Sequence, residues 1–236
     1  MFFYFVRHAD PIYDPDSLTE QGKKQAECLA QRFCELNISE VYSSSSCRAI
    51  MTADPFCKKA GLCLTAFSWA TEDKASRDFS VTIDGKLNWC FCFDQIMDMF
   101  NSEEVLNLKD KWYEYKDFAS YGFKSGVERI NREADAFFAT LGFVHDREKR
   151  CYLVNDHNDK KIAFFAHGGF SMAFLSSILD IPYPVFCTHF EHAATSCVTI
   201  IHFSEKRETT IPKIVQYSDF SHLVRSGLKP YHYYDI

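Results

Sequence analysis

The sequence lacks both an excess of positive charge and a long apolar run. Its 26 lysine and arginine residues are outnumbered by 32 aspartate and glutamate residues, which gives a formal net charge of -6 at pH 7. Such a chain has no general attraction to nucleic acid or to an anionic membrane. No stretch approaches the ~20 apolar residues of a membrane-spanning helix. The apolar start from Met1 to Val6 is too short for the core of a signal peptide. We therefore expect a soluble cytoplasmic protein with neither nucleic acid nor membrane as a partner, and the sequence leaves its oligomeric state open.

Cysteines are present, but they are not arranged as metal ligands or as a disulfide framework. The ten cysteines are scattered through apolar stretches, and a chain of 236 residues can bury a core without disulfides. Cys90 and Cys92 come nearest to a metal-binding pair, yet a single residue separates them and no second pair follows. We expect reduced cysteines in the core and no metal site.

Strands and helices alternate along most of the chain. Phe2 to Val6 is a continuous apolar run, which is typical of a strand buried on both faces of a parallel sheet. Apolar residues after Thr19 recur at helical spacing, and Thr19 is a suitable N-cap. Further strands are expected at 40–43, 62–69, 152–154, 162–166, 198–203 and 211–217, and further helices at 47–60, 127–141 and 171–179. This alternation predicts a three-layer α/β sandwich with a mostly parallel central sheet.

Residues 72–125 do not share this rhythm. They are rich in aromatic side chains and contain helical stretches without a regular order of strand and helix. We expect a single domain over residues 1–236, in which the segment 72–125 is inserted as a cap over the site. The catalytic groups should lie beyond the carboxyl ends of the parallel strands.

Residues at or near predicted strand ends have the chemistry that phosphoryl transfer requires. Arg7 and His8 end the first strand, Arg48 opens a helix, and His167 ends the strand at 162–166. A transferred phosphoryl group spreads negative charge over its equatorial oxygens, so its site needs fixed cations and an in-line nucleophile. Arginine binds two phosphate oxygens at once, and neutral imidazole is an available nucleophile near neutral pH. These residues predict a pocket for a phosphate group.

Four motifs in register along the chain resemble the histidine phosphatase superfamily, which has the phosphoglycerate-mutase-like fold. They are Phe5-Val6-Arg7-His8, Leu18-Thr19-x-x-Gly22-x-x-Gln25-Ala26, Ser43-Ser44 through Arg48-Ala49 and Thr52-Ala53, and Ala166-His167-Gly168-Gly169. The resemblance implies that His8 is the nucleophile and becomes phosphorylated. It also implies that Arg7, Arg48 and His167 bind the phosphate, and that no metal or organic cofactor is required.

The resemblance further implies an acid, between the third strand and the cap, that protonates the leaving group. Glu72 fits this position best, and Asp73 and Asp78 are close enough in sequence to stay open. We therefore predict a metal-independent phosphatase that hydrolyses a small phosphomonoester substrate through phospho-His8. The identity of that substrate stays open.

Departures from the family pattern bear on the reaction. Ala9-Asp10-Pro11 stands where Gly-Glu-Thr or Gly-Gln-Thr is usual, which puts substrate contacts in doubt. Asp73-Lys74-Ala75-Ser76 replaces the Arg-Tyr-Gly stretch of the glycolytic mutases, and the longer signature of the acid phosphatase branch is absent. Hydrolysis is favoured over phosphomutase chemistry, which remains an alternative of the same fold.

Alternatives from other classes also exist. The run Gly169-Phe170-Ser171-Met172-Ala173 follows a strand and opens a helix, as the nucleophile elbow of a serine hydrolase does. A hydrolase using Ser171 would take Asp180 or His222 as partners, but it leaves the arginines and His8 without a role. A non-catalytic phosphate-binding module is the third alternative.

Other polar residues have weaker assignments. His192, Thr195 and Ser196 precede a strand and are candidates for the pocket wall. His145 and His157 are interpreted as structural.

Overall fold

Strands and helices alternate around one central sheet in the computed structural model, which describes residues 1–230. The strands are β1 (Phe2–Arg7), β2 (Pro11–Tyr13), β3 (Asp16–Leu18), β4 (Glu40–Ser44), β5 (Leu64–Phe67), β6 (Ser80–Ile83), β7 (Lys86–Trp89), β8 (Phe143–Asp146), β9 (Cys151–Val154), β10 (Lys161–Ala166), β11 (Val198–His202), β12 (Thr209–Thr210) and β13 (Lys213–Asp219). The α-helices are α1 (Glu20–Cys34), α2 (Cys47–Ala60), α3 (Glu72–Phe79), α4 (Asp94–Phe100), α5 (Glu103–Asn107), α6 (Phe123–Thr140), α7 (Gly168–Ile178), α8 (Tyr183–His189) and α9 (Ser221–Val224). Short 3-10 helices cover Ser68–Ala70, Cys90–Cys92, Lys109–Glu114 and Lys116–Phe118.

The central sheet is mostly parallel. Its six strands have the spatial order β13-β11-β1-β10-β4-β5. Strands β1, β10, β4 and β5 are parallel, whereas β11 and β13 are antiparallel. The predicted α/β fold is confirmed, and β11 and β13, which cover the strands expected at 198–203 and 211–217, pair with each other.

Alternate residues of β1 face opposite helical layers. Phe3 and Phe5 share an apolar cluster with residues of α6 and α7, whereas Tyr4 and Val6 share one with residues of α1 and α2. Both faces of the strand are therefore buried, which explains why its sequence is apolar throughout rather than alternating.

Local sequence signals set several element ends. The Oγ1 atom of Thr19 accepts a hydrogen bond from the Gly22 backbone N–H at 2.9 Å, so Thr19 caps α1 as predicted. Gly61 ends α2 in the left-handed region with a φ of 68°. The strand predicted at 62–69 is shorter, because β5 lies at the sheet edge and its pairing stops at Phe67.

Other elements also differ from the prediction, among them α6 and β8. The helix expected at 127–141 begins earlier, at Phe123, whose side chain is fully buried. Strand β8 was not predicted, because it has only four residues and its sequence is half polar. It belongs to a small sheet with the order β12-β9-β8.

Residues 72–125 form short elements whose aromatic side chains pack on one another. Trp112 is buried and stacks on Tyr183 of α8 with 5.6 Å between ring centroids. The buried side chains of this segment belong to the same apolar cluster as the α6 and α7 face of the sheet. Most of its aromatic residues therefore serve core packing, and the division into a core and a cap stays a prediction.

Within residues 1–230, no helix combines the length and the apolar character that crossing a membrane demands.

Candidate active site

The parallel strands carry the predicted site residues to one edge of the sheet. Arg7 ends β1 and pairs with Ala166, the last residue of β10, so His8 and His167 follow adjacent strand ends. Arg48 lies in the first turn of α2, and Glu72 begins α3. The structure thus brings together all five residues that the sequence singled out.

His8 presents one ring nitrogen to the site. Its Nδ1 atom lies 2.8 Å from the Ala9 carbonyl oxygen. Because a carbonyl oxygen only accepts, Nδ1 carries the hydrogen and Nε2 holds the lone pair. Burial, with the charges of Arg7 and Arg48, lowers the pKa of His8 well below 6.5. The ring is therefore neutral near neutral pH, with Nε2 available for attack.

His167 lies beside His8 with 5.2 Å between ring centroids. Its Nε2 atom is 2.8 Å from the Ser44 hydroxyl, and its Nδ1 atom is 3.7 Å from Oε2 of Glu72. Burial is the main cause that lowers the pKa of His167 well below 6.5, and the adjacent His8 adds to it. Burial therefore dominates the lowering of both pKa values, and the nearby positive charges act in the same direction.

Each arginine is anchored by part of its guanidinium group. Nη1 of Arg7 donates to the Ala193 carbonyl oxygen at 2.6 Å. Nη1 of Arg48 donates to Asp16 at 2.8 Å and Nη2 donates to Glu72 at 3.2 Å. These bonds orient the two cations and leave the Nε atoms of both arginines without a partner.

Four buried nitrogen atoms share this site and lack a hydrogen-bond partner in the protein. They are Arg7 Nε, His8 Nε2, Arg48 Nε and His167 Nδ1, and no other buried side-chain nitrogen or oxygen of residues 1–230 lacks one. Buried polar groups in folded proteins are nearly always satisfied. Two guanidinium donors and two imidazole nitrogens together match a ligand with several anionic oxygens around an electrophilic centre.

Glu72 is the best placed of the three candidate acids. Its Oε1 atom accepts a hydrogen bond from the Gly169 backbone N–H at 3.1 Å, while Oε2 faces Arg48. Asp73 borders the same cleft. Asp78 instead accepts a hydrogen bond from Nε of Arg129 at 2.8 Å and does not line the cleft. The positions of the three carboxyl groups leave Glu72 and Asp73 as candidates for the acid that protonates the leaving group.

His8, Glu72 and His167 also lie close enough to share a metal ion, since their possible ligand atoms are within 4.8 Å of one another. The charges of Arg7 and Arg48 act on both histidines and lower their pKa values, in addition to burial. The same positive potential repels a metal cation and attracts an anion. The donor set therefore fits a phosphate group better than a metal.

A cleft of about 620 Å³ opens above these groups. It is lined by charged, polar and aromatic residues, namely Arg7, Tyr13, Asp16, Ser46, Arg48, Glu72, Asp73, Ser76, Asn88, Trp89, Phe91, Cys92, Gly169 and His192. His192 thus borders the cleft, as expected. Thr195 and Ser196 are buried instead, and the Ser196 backbone N–H donates to the His8 carbonyl oxygen at 3.0 Å.

Sequence reasoning gave no role to three residues that shape the site. Asp16 orients Arg48, Ser44 bonds His167, and Trp89 packs against Gly169 so closely that a methyl group there would overlap the indole ring. Ser44 stood in a recognised motif, but its partner is 123 residues away in the chain. No spacing in the sequence could have identified contacts between elements so far apart.

The serine hydrolase alternative finds no matching geometry. Ser171 is fully buried, and its hydroxyl donates to the Gly168 carbonyl oxygen at 2.6 Å. Its imagined partners are engaged elsewhere: Asp180 lies 2.9 Å from Nε2 of His145, and His222 lies 3.2 Å from the Ser196 hydroxyl. The structure therefore does not bring these groups together.

Residues 3–69 match the family model of the histidine phosphatase superfamily (branch 1). The matched segment contains Arg7, His8 and Arg48, and the structure adds Glu72 and His167 to the same site. This segment of the chain is therefore similar to the histidine phosphatase superfamily. A search of curated proteins finds no match to it.

Solved structures of other proteins resemble the chain over nearly its whole length. Phosphoserine phosphatase from Entamoeba histolytica in complex with 3-phosphoglyceric acid aligns with a TM-score of 0.58 and 14% identity, covering 94% of this chain and 98% of the other. A mycobacterial glucosyl-3-phosphoglycerate phosphatase with inorganic phosphate gives 0.60 and 15%, with 94% and 98% covered. YhfR from Bacillus stearothermophilus gives 0.59 and 16%, also with 94% and 98% covered. At these identities the similarity shows the histidine phosphatase fold.

Proposed function

We propose that the protein is a phosphatase that hydrolyses a small phosphomonoester through a phosphohistidine intermediate on His8, without a metal or organic cofactor. The observation that carries this proposal is the set of four unpartnered buried nitrogens at one sheet edge. Phosphatases among the structural relatives support the same reaction class. The ten free cysteines support a reducing compartment such as the cytoplasm.

In the first step, Nε2 of His8 attacks phosphorus and the bond from phosphorus to the ester oxygen breaks. The Nε atoms of Arg7 and Arg48 donate to the equatorial oxygens, where negative charge accumulates. Nδ1 of His167 has no partner in the protein, and it is a further donor in the tautomer whose ring hydrogen lies on Nδ1. Glu72 transfers a proton to the departing oxygen, so that the product leaves as an alcohol.

In the second step, water attacks phospho-His8. Glu72 is now a carboxylate and accepts a proton from that water as the oxygen to phosphorus bond forms. The nitrogen to phosphorus bond breaks and returns its electron pair to Nε2 of His8. Orthophosphate leaves, and the hydrogen bond from Nδ1 to Ala9 keeps the ring in the same tautomer for the next cycle.

Trapping the intermediate tests this proposal directly. The wild-type chain and His8→Ala are mixed with p-nitrophenyl phosphate, with and without a chelator, and quenched in alkali to preserve phosphohistidine. We expect chelator-independent turnover and phosphorylation of His8 by peptide mass spectrometry in the wild type only, with unchanged circular dichroism in the variant. Turnover by His8→Ala near the wild-type rate would contradict the proposal, as would turnover that a chelator abolishes.

A further inference from the structure

The position of Glu72 defines the side of the site from which the leaving group departs. Its carboxyl group is held by the Gly169 backbone N–H, and the indole ring of Trp89 packs directly on Gly169. The aromatic surface of Trp89 therefore adjoins the group that protonates the departing oxygen. A leaving group that takes its proton from Glu72 would therefore adjoin this ring.

Trp89 begins a row of nearly parallel rings along the cleft. Its ring stacks on Phe91 with 5.6 Å between centroids and an interplanar angle of 18°. Phe91 in turn stacks on His192, at 6.0 Å and 27°. All three residues line the cleft and keep part of their surface exposed, unlike the fully buried aromatic side chains of the interior such as Phe100. Trp89 and Phe91 also pack against the main apolar cluster, but the exposed part of this row of rings, hereafter the aromatic wall, faces the cleft.

The charges of the cleft leave no cation for a second anionic group. Among the described residues that line it, the cationic ones are Arg7 and Arg48, and both face the phosphate site. Asp16, Glu72 and Asp73 contribute carboxyl groups to the same lining. Asp16 and Glu72 pair with Arg48 and Asp73 adds a further carboxylate, so a second carboxylate or phosphate on the substrate would find no unengaged cation in this lining.

Neither His192 nor Lys86 adds a cation to the lining of the cleft. Burial and the charge of Arg7 lower the pKa of His192, so its ring is uncharged near neutral pH. Lys86 is exposed and is not among the residues that line the cleft.

We infer that the substrate is a phosphomonoester whose leaving group has a flat apolar face and carries no second anionic group. This inference rests on the proposed function and names the substrate class of the same site. It distinguishes the chain from its structural relative crystallised with 3-phosphoglyceric acid, since that molecule carries a carboxylate and no ring.

Matched substrate pairs test charge and shape separately. N-acetyl-O-phosphotyrosine and its amide share one phenol leaving group and differ by a single carboxylate. Benzyl phosphate and cyclohexylmethyl phosphate are similar in size and differ in flatness. We expect kcat/KM to be at least about tenfold higher for the amide than for the acid. We expect benzyl phosphate to exceed cyclohexylmethyl phosphate by about threefold to tenfold.

Substitutions in the aromatic wall test whether its rings cause the preference for a flat leaving group. Trp89→Leu and Phe91→Leu should each reduce the ratio of kcat/KM for benzyl over cyclohexylmethyl phosphate toward one, while phospho-His8 still forms. Phe93→Leu is the matched control, because Phe93 is a partly buried aromatic residue two positions further on that does not line the cleft. It should keep the wild-type ratio.

The outcomes separate this inference from the proposed function. Equal kcat/KM values within both substrate pairs would overturn the inference, as would a higher kcat/KM for N-acetyl-O-phosphotyrosine than for its amide. Phospho-His8 detected in the same experiment would still uphold the proposed function. A ratio unchanged in both wall variants would also overturn the inference. Failure to turn over any of the four esters, with no phospho-His8, would overturn the proposed function and the inference together.

Discussion

Arg48 and Glu72 contact each other directly, with Nη2 of the arginine donating to Oε2 of the carboxylate at 3.2 Å. The two residues open helices α2 and α3, which follow the adjacent strands β4 and β5. The contact links a proposed phosphate-binding cation to the proposed acid. Asp16 holds the same guanidinium group from the other side, so the orientation of Arg48 depends on both carboxylates.

Arg48→Lys should be damaging although it conserves charge. A lysine ammonium carries its three donors on one nitrogen, so it cannot span Asp16, Glu72 and the phosphate as the planar guanidinium group does. We expect kcat/KM on p-nitrophenyl phosphate to fall by about 100-fold or more. Arg132→Lys is the control, because that arginine is exposed and forms an ion pair with its neighbour Glu133. A loss of kcat/KM under about threefold, or about 0.7 kcal/mol, would argue against Arg48 as a ligand of the phosphate oxygens.

Glu72→Gln should affect esters according to how well their alcohols depart. Alkyl phosphates need a proton on the leaving oxygen, whereas nitrophenolate departs unaided, so the loss should be much larger for alkyl phosphates. Dephosphorylation also needs the carboxylate, so phospho-His8 should accumulate and appear as a burst of nitrophenol. Rapid-quench kinetics on both ester types measures this.

The neighbouring acids provide the controls for this experiment. Asp78→Asn should show neither effect, because Asp78 pairs with Arg129 outside the cleft. Asp73→Asn should also show neither. A burst in Asp73→Asn instead would assign the role of the acid to Asp73. Equal losses of activity on both esters in every variant would mean that the acid is a different residue.

The acid limb of the activity profile should lie low on the pH scale. Protonation of Nε2 removes the nucleophile, and the pKa of His8 is well below 6.5, because of burial first and then the charge of Arg7. We therefore expect kcat/KM to stay insensitive to ionisation of His8 as the pH falls through 6.5. Profiles of kcat/KM on an activated ester measure this, and a tenfold loss centred near the ordinary histidine pKa would contradict the assigned environment.

A second histidine should make stability depend on pH. Nδ1 of His145 is 2.9 Å from Asp135, and Nε2 is 2.9 Å from Asp180. Burial alone would lower the pKa of His145, but the hydrogen bonds to the two aspartates raise it above 6.5. Because the folded pKa exceeds the unfolded one, the stabilisation is full below the unfolded pKa and is lost as the pH rises through the folded pKa.

His145→Phe tests this linkage and keeps the ring that stacks on Tyr152, 4.0 Å away between centroids. Urea unfolding should show the variant less stable by about 2 kcal/mol in mildly acidic buffer. The difference from wild type should shrink as the pH rises above the ordinary histidine range. A difference that stays constant across that range would show that the ion pairs of His145 do not stabilise the fold.

The sequence predicted the sheet and most of the site because those features depend on local patterns. The apolar run of β1 and the capping residue of α1 act within a few residues, and strand-end positions placed Arg7, His8 and His167 at one edge. Parallel pairing then brings adjacent strand ends together without further information.

What the sequence could not predict depends on packing between distant segments. Asp16 orients Arg48 across 32 residues, and Trp89 reaches Gly169 from a short hairpin in the aromatic segment. The aromatic residues of the segment 72–125 also have two different roles that the sequence does not distinguish. Trp112 fills the core, whereas Trp89 and Phe91 line the cleft, and only their positions in the fold distinguish them.

The pairing of Arg7 with Ala166 has a consequence for how the protein folds. A slip of one residue in this parallel ladder would turn His8 or His167 to the opposite face of the sheet. The two histidines are separated by most of the chain, so their approach requires a large loop to close, which is slow compared with local helix formation. No partly folded state that lacks the β1 to β10 ladder positions the two imidazoles together. Recovery of enzymatic activity during refolding therefore reports the formation of long-range strand pairing, while recovery of helical signal alone does not.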